Sequence, residues 1–209
     1  MALLPLVEIL WRSLFRSGIP GSGPFVQHLT LWVGFLGAAI AAREGRLLAL
    51  ATGTFVPEGR WRRAAAVLAA AVAAAVATLL CRAGIGMVLV ERQAGAVIAA
   101  GVPVWIGQLV LPVSFAIIAL RIVWRASARW PGRLVASLGL AAGLWLSQFP
   151  GLLEGKNPWP GVALVLVGTA LGGPIFALLG GVAVLFFIKD GVPIAAMPVE
   201  AYRLAVSPT

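Results

Sequence analysis

The chain holds one histidine, His28, and one cysteine, Cys81. Metal centres and disulfides need several such groups, so one copy of the chain supplies neither a Cys/His cluster nor a disulfide framework. Cys81 lies in an apolar run and reads as an inert buried thiol. His28 follows Gln27 at the start of another apolar segment. A proton-coupling role is one reading; a polar helix start resting among lipid headgroups is the one we favour. Arg82 interrupts its segment after 18 uncharged residues, and a charge at mid-helix costs about 2.5 kcal/mol or more in a bilayer. An ion relay would need an acidic partner inside another span, and none is present. Arg82 is therefore expected to snorkel toward the nearer helix end, around Val90. The seven acidic residues, Glu8, Glu44, Glu58, Glu91, Glu154, Asp190 and Glu200, fall in loops or at segment edges. With no carboxylate pair, phosphate loop, Ser/His/Asp set or zinc motif, no catalytic residue and no metal ligand is assigned.

The elements that must hold these positions are apolar over long stretches. Of 209 residues, 61% are hydrophobic and 11% charged, with a mean hydropathy of +1.00. A soluble domain carries about 25% charged residues to cover its surface. The fold class expected is therefore all-α integral membrane, a helical bundle of about six transmembrane helices. The net charge is +9, but its arginines cluster between apolar runs, as in cytoplasmic membrane loops, so nucleic acid is excluded as a partner and the lipid bilayer is expected.

The first segment, Met1–Trp11, is short for a bilayer of about 30 Å. It reads as a truncated span and lacks the features of a signal peptide. Five further segments follow: 25–42, 64–90, 102–120, 134–149 and 161–188. The loop from Arg43 to Arg63 holds five arginines and that from Arg121 to Arg133 holds four, against Arg12 and Arg16, then Arg92, then only Lys156 in the alternate loops. The positive-inside rule then puts the N-terminus in the cytoplasm, the 149–158 loop outside, and Lys189 inside. Trp105, Trp124, Trp130 and Trp159 fall near segment ends, as an aromatic belt requires. Gly139-x-x-x-Gly143 and Gly168-x-x-x-Gly172 allow close helix packing, and the alanine run from Ala64 to Ala77 offers a smooth face for a helix or lipid. The sixth segment carries Leu171-Gly-Gly-Pro174, with Gly180-Gly181 beyond. A broken helix of the transporter type is one reading; a single kink in one long tilted helix is the expectation.

These runs resemble the membrane subunits of TRAP (tripartite ATP-independent periplasmic) transporters. Gly21-Ser-Gly-Pro-Phe-Val-Gln-His-Leu-Thr-Leu-Trp32 is similar to the small, Q-type subunit, as is Gly34-Phe-Leu-Gly-Ala-Ala-Ile-Ala-Ala-Arg-Glu-Gly45. So is Gly101-Val-Pro-Val-Trp105, with Gln108 and Pro112 after it. Gly172-Gly-Pro-Ile-Phe-Ala-Leu-Leu-Gly-Gly181 and Ile194-Ala-Ala-Met-Pro-Val-Glu-Ala-Tyr-Arg203 look like the start of the large, M-type permease subunit. The resemblance implies a four-span small-subunit domain over 1–130, a bridging helix and loop over 131–157, and the start of a truncated large subunit over 158–209. The motif positions it marks as structural or interface residues are Gln27, His28, Leu31, Gly37, Arg43, Glu44, Gly45, Pro103, Trp105, Gly172, Pro174 and Gly181. It implies sodium-coupled import of organic acids, this chain serving mainly as scaffold in the bacterial inner membrane. The implied partners are a periplasmic solute-binding protein and the remainder of the large subunit. Neither a cofactor nor a substrate or sodium site is carried over to this chain. The alternative weighed is a polytopic membrane enzyme such as a lipid-modifying transferase, for which no polar residues converge at one depth.

Overall fold

The computed structural model describes residues 22–49, 59–98, 101–127 and 129–200. The proposed span Met1–Trp11 lies outside these residues. Seven α-helices with both ends among these residues follow in order: α1 (Ser22–Glu44), α2 (Arg60–Ala94), α3 (Val104–Gln108), α4 (Val110–Arg125), α5 (Trp130–Gln148), α6 (Trp159–Ala170) and α7 (Ile175–Lys189). The described residues form no named strand, in keeping with an all-α membrane protein. Among the described residues three stretches are long and apolar enough to cross a membrane: Phe25–Glu44, Arg60–Ala94, and Val104–Arg125, in which α3 and α4 run nearly continuously.

The helix ends follow local chemistry. Gly45 (φ 73°) and Gly95 (φ 68°) adopt the left-handed conformation that terminates α1 and α2, and the Gly95 N–H donates to the Glu91 carbonyl at 3.2 Å. Pro103 precedes α3 and Pro131 sits in the first turn of α5, where the missing N–H has no intrahelical partner to lose.

Helix α2 is the axis of the bundle, contacted by α4, α5, α6 and α7. Its alanine run does what small residues do where lipid offers no hydrophobic drive: it lets backbones approach. An added Cβ on Gly139 would collide with the Ala71 carbonyl oxygen, and one on Gly143 would lie 2.6 Å from that of Ala75. The expected glycine pair on α5 is thus pressed on α2, and the face that takes it is the alanine run. The second pair divides: Gly168 packs on Val72, whereas Gly172 belongs to a turn. Val72, Val76, Leu79 and Leu80 of α2 form one core with Val165, Ala177, Val184 and Ile188.

The sixth expected segment is not one kinked helix. Helices α6 and α7 fold back on each other as an antiparallel hairpin, with Gly161 against Leu185 and Gly181 against Val165. The reason is the turn at Gly172 (φ 104°), a backbone conformation that side-chain-bearing residues avoid, followed by Pro174, which has no N–H to continue a helix. The Gly172 and Gly173 amides cap α6 by donating to the Thr169 and Gly168 carbonyls, each at 3.0 Å. At 12 and 15 residues, the arms extend only about 18 and 22 Å at the helical rise. Both hairpin ends lie together, because the Gly155 N–H donates to the Lys189 carbonyl at 2.9 Å. Lys189 therefore shares a side with the 149–158 loop, which corrects the expectation that placed them on opposite sides.

Candidate functional site

Most of the marked positions gather at the two ends of the bundle. At one end α1 starts against α3. His28 is buried, and its ring occupies the space where a side chain on Gly107 would begin. One turn further along, the Trp32 indole N–H donates to the Gly107 carbonyl at 2.8 Å. The unbranched backbone at Gly107 is what admits both aromatic rings. Gln108 beside it is buried, and its Oε1 has no hydrogen-bond partner among the described residues. Pro103 and Val97 form an isolated antiparallel bridge that fixes the entry to α3, and the Arg92 guanidinium lies 5.6 Å from the centre of the Trp105 ring. Two sequence stretches about 75 residues apart, the His28–Trp32 and Pro103–Gln108 motifs, thus meet as one junction.

The opposite end is built around the close of α1. An Arg125 guanidinium N–H donates to the Arg43 carbonyl, and the same guanidinium lies 2.9 Å from where a Cβ on Gly45 would sit. Gly45 is thus needed twice, for its positive φ and for Arg125's passage. Glu44 pairs with Arg46 at 3.6 Å on the surface, where such a bridge contributes little. The hairpin tip reaches this same end: Ala49 bridges Pro174, and the Ile175 N–H donates to the Leu48 carbonyl at 2.9 Å. Gly172, Pro174 and Gly45 line one cavity of about 260 Å³ with Arg121 and Arg125. The arginines of the 43–63 and 121–133 stretches therefore do share an end, with Arg62, Arg63, Arg125 and Arg129 around a second cleft.

Arg82 faces a cavity of about 370 Å³ shared with Ser147, Glu154 and residues 191–195, which lie at the hairpin base. Its Nε is buried without a hydrogen-bond partner among the described residues. The side chain thus reaches toward the end where Glu154 lies, rather than toward a charge inside another span. Cys81 is half-buried, and its thiol donates to the Pro112 carbonyl at 3.3 Å.

Of the remaining marked positions, Gly181 packs on Val76 and Val165, Leu31 is half-buried, and a side chain on Gly37 would meet open space. Sequence reasoning missed the Arg125 clamp, because a basic residue in a last turn looks the same whether it faces water or another helix. It also missed Ser114, fully buried on α4, whose hydroxyl lacks a partner among the described residues. Both ends hold helices to one another; among the described residues no titratable cluster forms that would activate a nucleophile or move a proton.

The family described as tripartite ATP-independent periplasmic transporters, DctQ component, matches residues 1–132, more than half of the chain. No curated protein and no solved structure matches. The matched stretch contains α1 to α4 with both junctions of α1, and ends within the first turn of α5. The chain belongs to the DctQ family of tripartite ATP-independent periplasmic transporter components.

Proposed function

We propose that this chain is the fixed, scaffold part of the membrane component of a TRAP transporter that imports organic acids of the carboxylate class. The family is one of transporter components and not of enzymes, which sets aside the lipid-modifying transferase. The observation that carries the scaffold reading is the fastening of α1 at both ends, by Gly107 at one and Arg125 at the other. An anchor must hold its geometry while another part of a transporter moves. Close small-residue packing along α2 suits that demand.

In this reading α5 and the loop after it form the bridge over 131–157, and the α6–α7 hairpin lies in the start of the large permease component over 158–209. The partners are that component and a periplasmic solute-binding protein, and a sodium gradient drives uptake. The host membrane is the bacterial inner membrane, with the N-terminus and the arginine-rich end in the cytoplasm.

Uptake in cells expressing the chain with its large component and binding protein tests the assignment. Sodium-dependent accumulation of an organic acid that disappears without this chain is the expected result. Uptake that is unchanged without it would refute the scaffold role. A reporter fused between Arg43 and Arg63 is expected to be active only in the cytoplasm; periplasmic activity there overturns the orientation.

A further inference from the structure

A groove of about 520 Å³ runs between α4 and α5 on the outer surface of the bundle. Its size falls within the roughly 300–1,000 Å³ of small-molecule sites. Leu120, Arg121 and Trp124 line it from α4, at the spacing that puts three residues on one helix face. Trp130, Arg133 and Leu134 line it from α5 in the same way. The walls are apolar, and the two arginines are its charged groups among the described residues.

The arginine end is shaped as well as charged. The Arg133 guanidinium lies 4.8 Å from the centre of the Trp124 ring, while its Nε–H donates to the Ser127 carbonyl at 3.0 Å. That bond uses one nitrogen of a forked group able to hold a phosphate with the others. Trp124 and Trp130 are 65% and 73% exposed, which suits the polar–apolar boundary of a membrane and not open water. The neighbouring cleft of Arg62, Arg63, Arg125 and Arg129 is more basic, but its apolar lining is limited to Ala66, Val67 and Ala126. It offers charge without a bed for a hydrocarbon chain.

We propose that the α4–α5 groove is a site for one anionic phospholipid, its acyl chain along Leu120 and Leu134 and its phosphate on Arg121 and Arg133. Two observations select this occupant. The groove is apolar along its length and cationic at its mouth, and the mouth lies at the C-terminal end of α4, whose stretch Val104–Arg125 is long and apolar enough to cross a membrane. Basic pockets between transmembrane helices hold anionic headgroups by this combination.

The test uses the full 209-residue chain, purified in detergent, with phosphatidylglycerol or phosphatidylcholine added. Native mass spectrometry is expected to show one phosphatidylglycerol retained, with phosphatidylcholine retained at least tenfold less. Phosphatidylglycerol should also raise the unfolding midpoint more than phosphatidylcholine does. In the double variant Arg121→Gln/Arg133→Gln both preferences should vanish. The paired variant Arg63→Gln/Arg129→Gln, in the neighbouring cleft, should keep them. If the groove double variant fails to fold, Leu134→Trp, which fills the acyl bed while leaving both arginines, must lose retention in its place. Equal retention of the two lipids overturns the proposal, and points to another protein's helix as what covers the groove. Equal loss in the two arginine pairs also overturns it, because diffuse charge then suffices.

Discussion

At Gly107 a hydrogen stands where any other residue would drive a carbon into the His28 ring. Gly107→Ala is expected to lower the unfolding midpoint in detergent, with an overpacking cost of about 1–3 kcal/mol. In combination with His28→Ala, which vacates the space, the two changes should cost less than their sum. A double-mutant cycle by thermal unfolding measures the coupling, and strict additivity would rule out the contact. Arg125 acts on α1 through a carbonyl, a group that sequence does not display. Arg125→Gln should free the end of α1, at a cost near the 0.5–1.5 kcal/mol or so of a net hydrogen bond. Hydrogen exchange reads it: the Gly45 and Arg46 amides, which donate to Ala42 and Ala41, should exchange several-fold faster. The identities His28, Gly45 and Pro103 were legible as marked positions, but not which residue each would meet.

Helix spans 25–42, 64–90 and 102–120 were readable because uninterrupted apolar runs leave few alternatives in a bilayer, and the observed helices begin and end within five residues of them. The apolar segment 134–149 was readable as a helix too, although α5 carries Arg133 and two tryptophans and is less apolar than the three clear spans. Its seat was not. Gly139→Leu is expected to detach α5 from α2, because the new side chain meets the Ala71 backbone, which cannot rotate away. The loss should reach or exceed the upper end of the about 1–3 kcal/mol of overpacking. Gly37→Leu on α1, where an added side chain meets open space, serves as the control and should leave the midpoint within about 0.5 kcal/mol. Chemical denaturation in mixed micelles compares the two, and equal effects would contradict the α2–α5 packing.

For the whole molecule the hairpin sets the topology. A chain that enters and returns finishes on the side it started from, so the 149–158 loop and Lys189 share a side whatever depth the tip attains. Single cysteines placed by Asn157→Cys and Asp190→Cys, each with Cys81→Ala, should therefore react with an impermeant thiol reagent from the same face of the membrane. Labelling from opposite faces would show one crossing helix in place of the hairpin. The gathering of both arginine-rich stretches at one end agrees with their alternation along the chain, since odd and even loops of a spanning bundle must separate.

The sequence by itself determined the solvent, the helical class, the three spans between residues 25 and 120 and the clustering of positive charge. Each follows from composition and run length, because a bilayer penalises every exposed charge and unpaired amide along a span. Only the tertiary structure decided that the last apolar run folds in two. Leu171-Gly-Gly-Pro174 permits both a kink and a reversal, and the choice rests on contacts far away in sequence. Those contacts are Val72 against Gly168, Val76 against Gly181, and Leu48 against Ile175. It likewise decided that α1 is fastened at both ends, since a glycine's value to a distant ring or guanidinium exists only once the helices are packed.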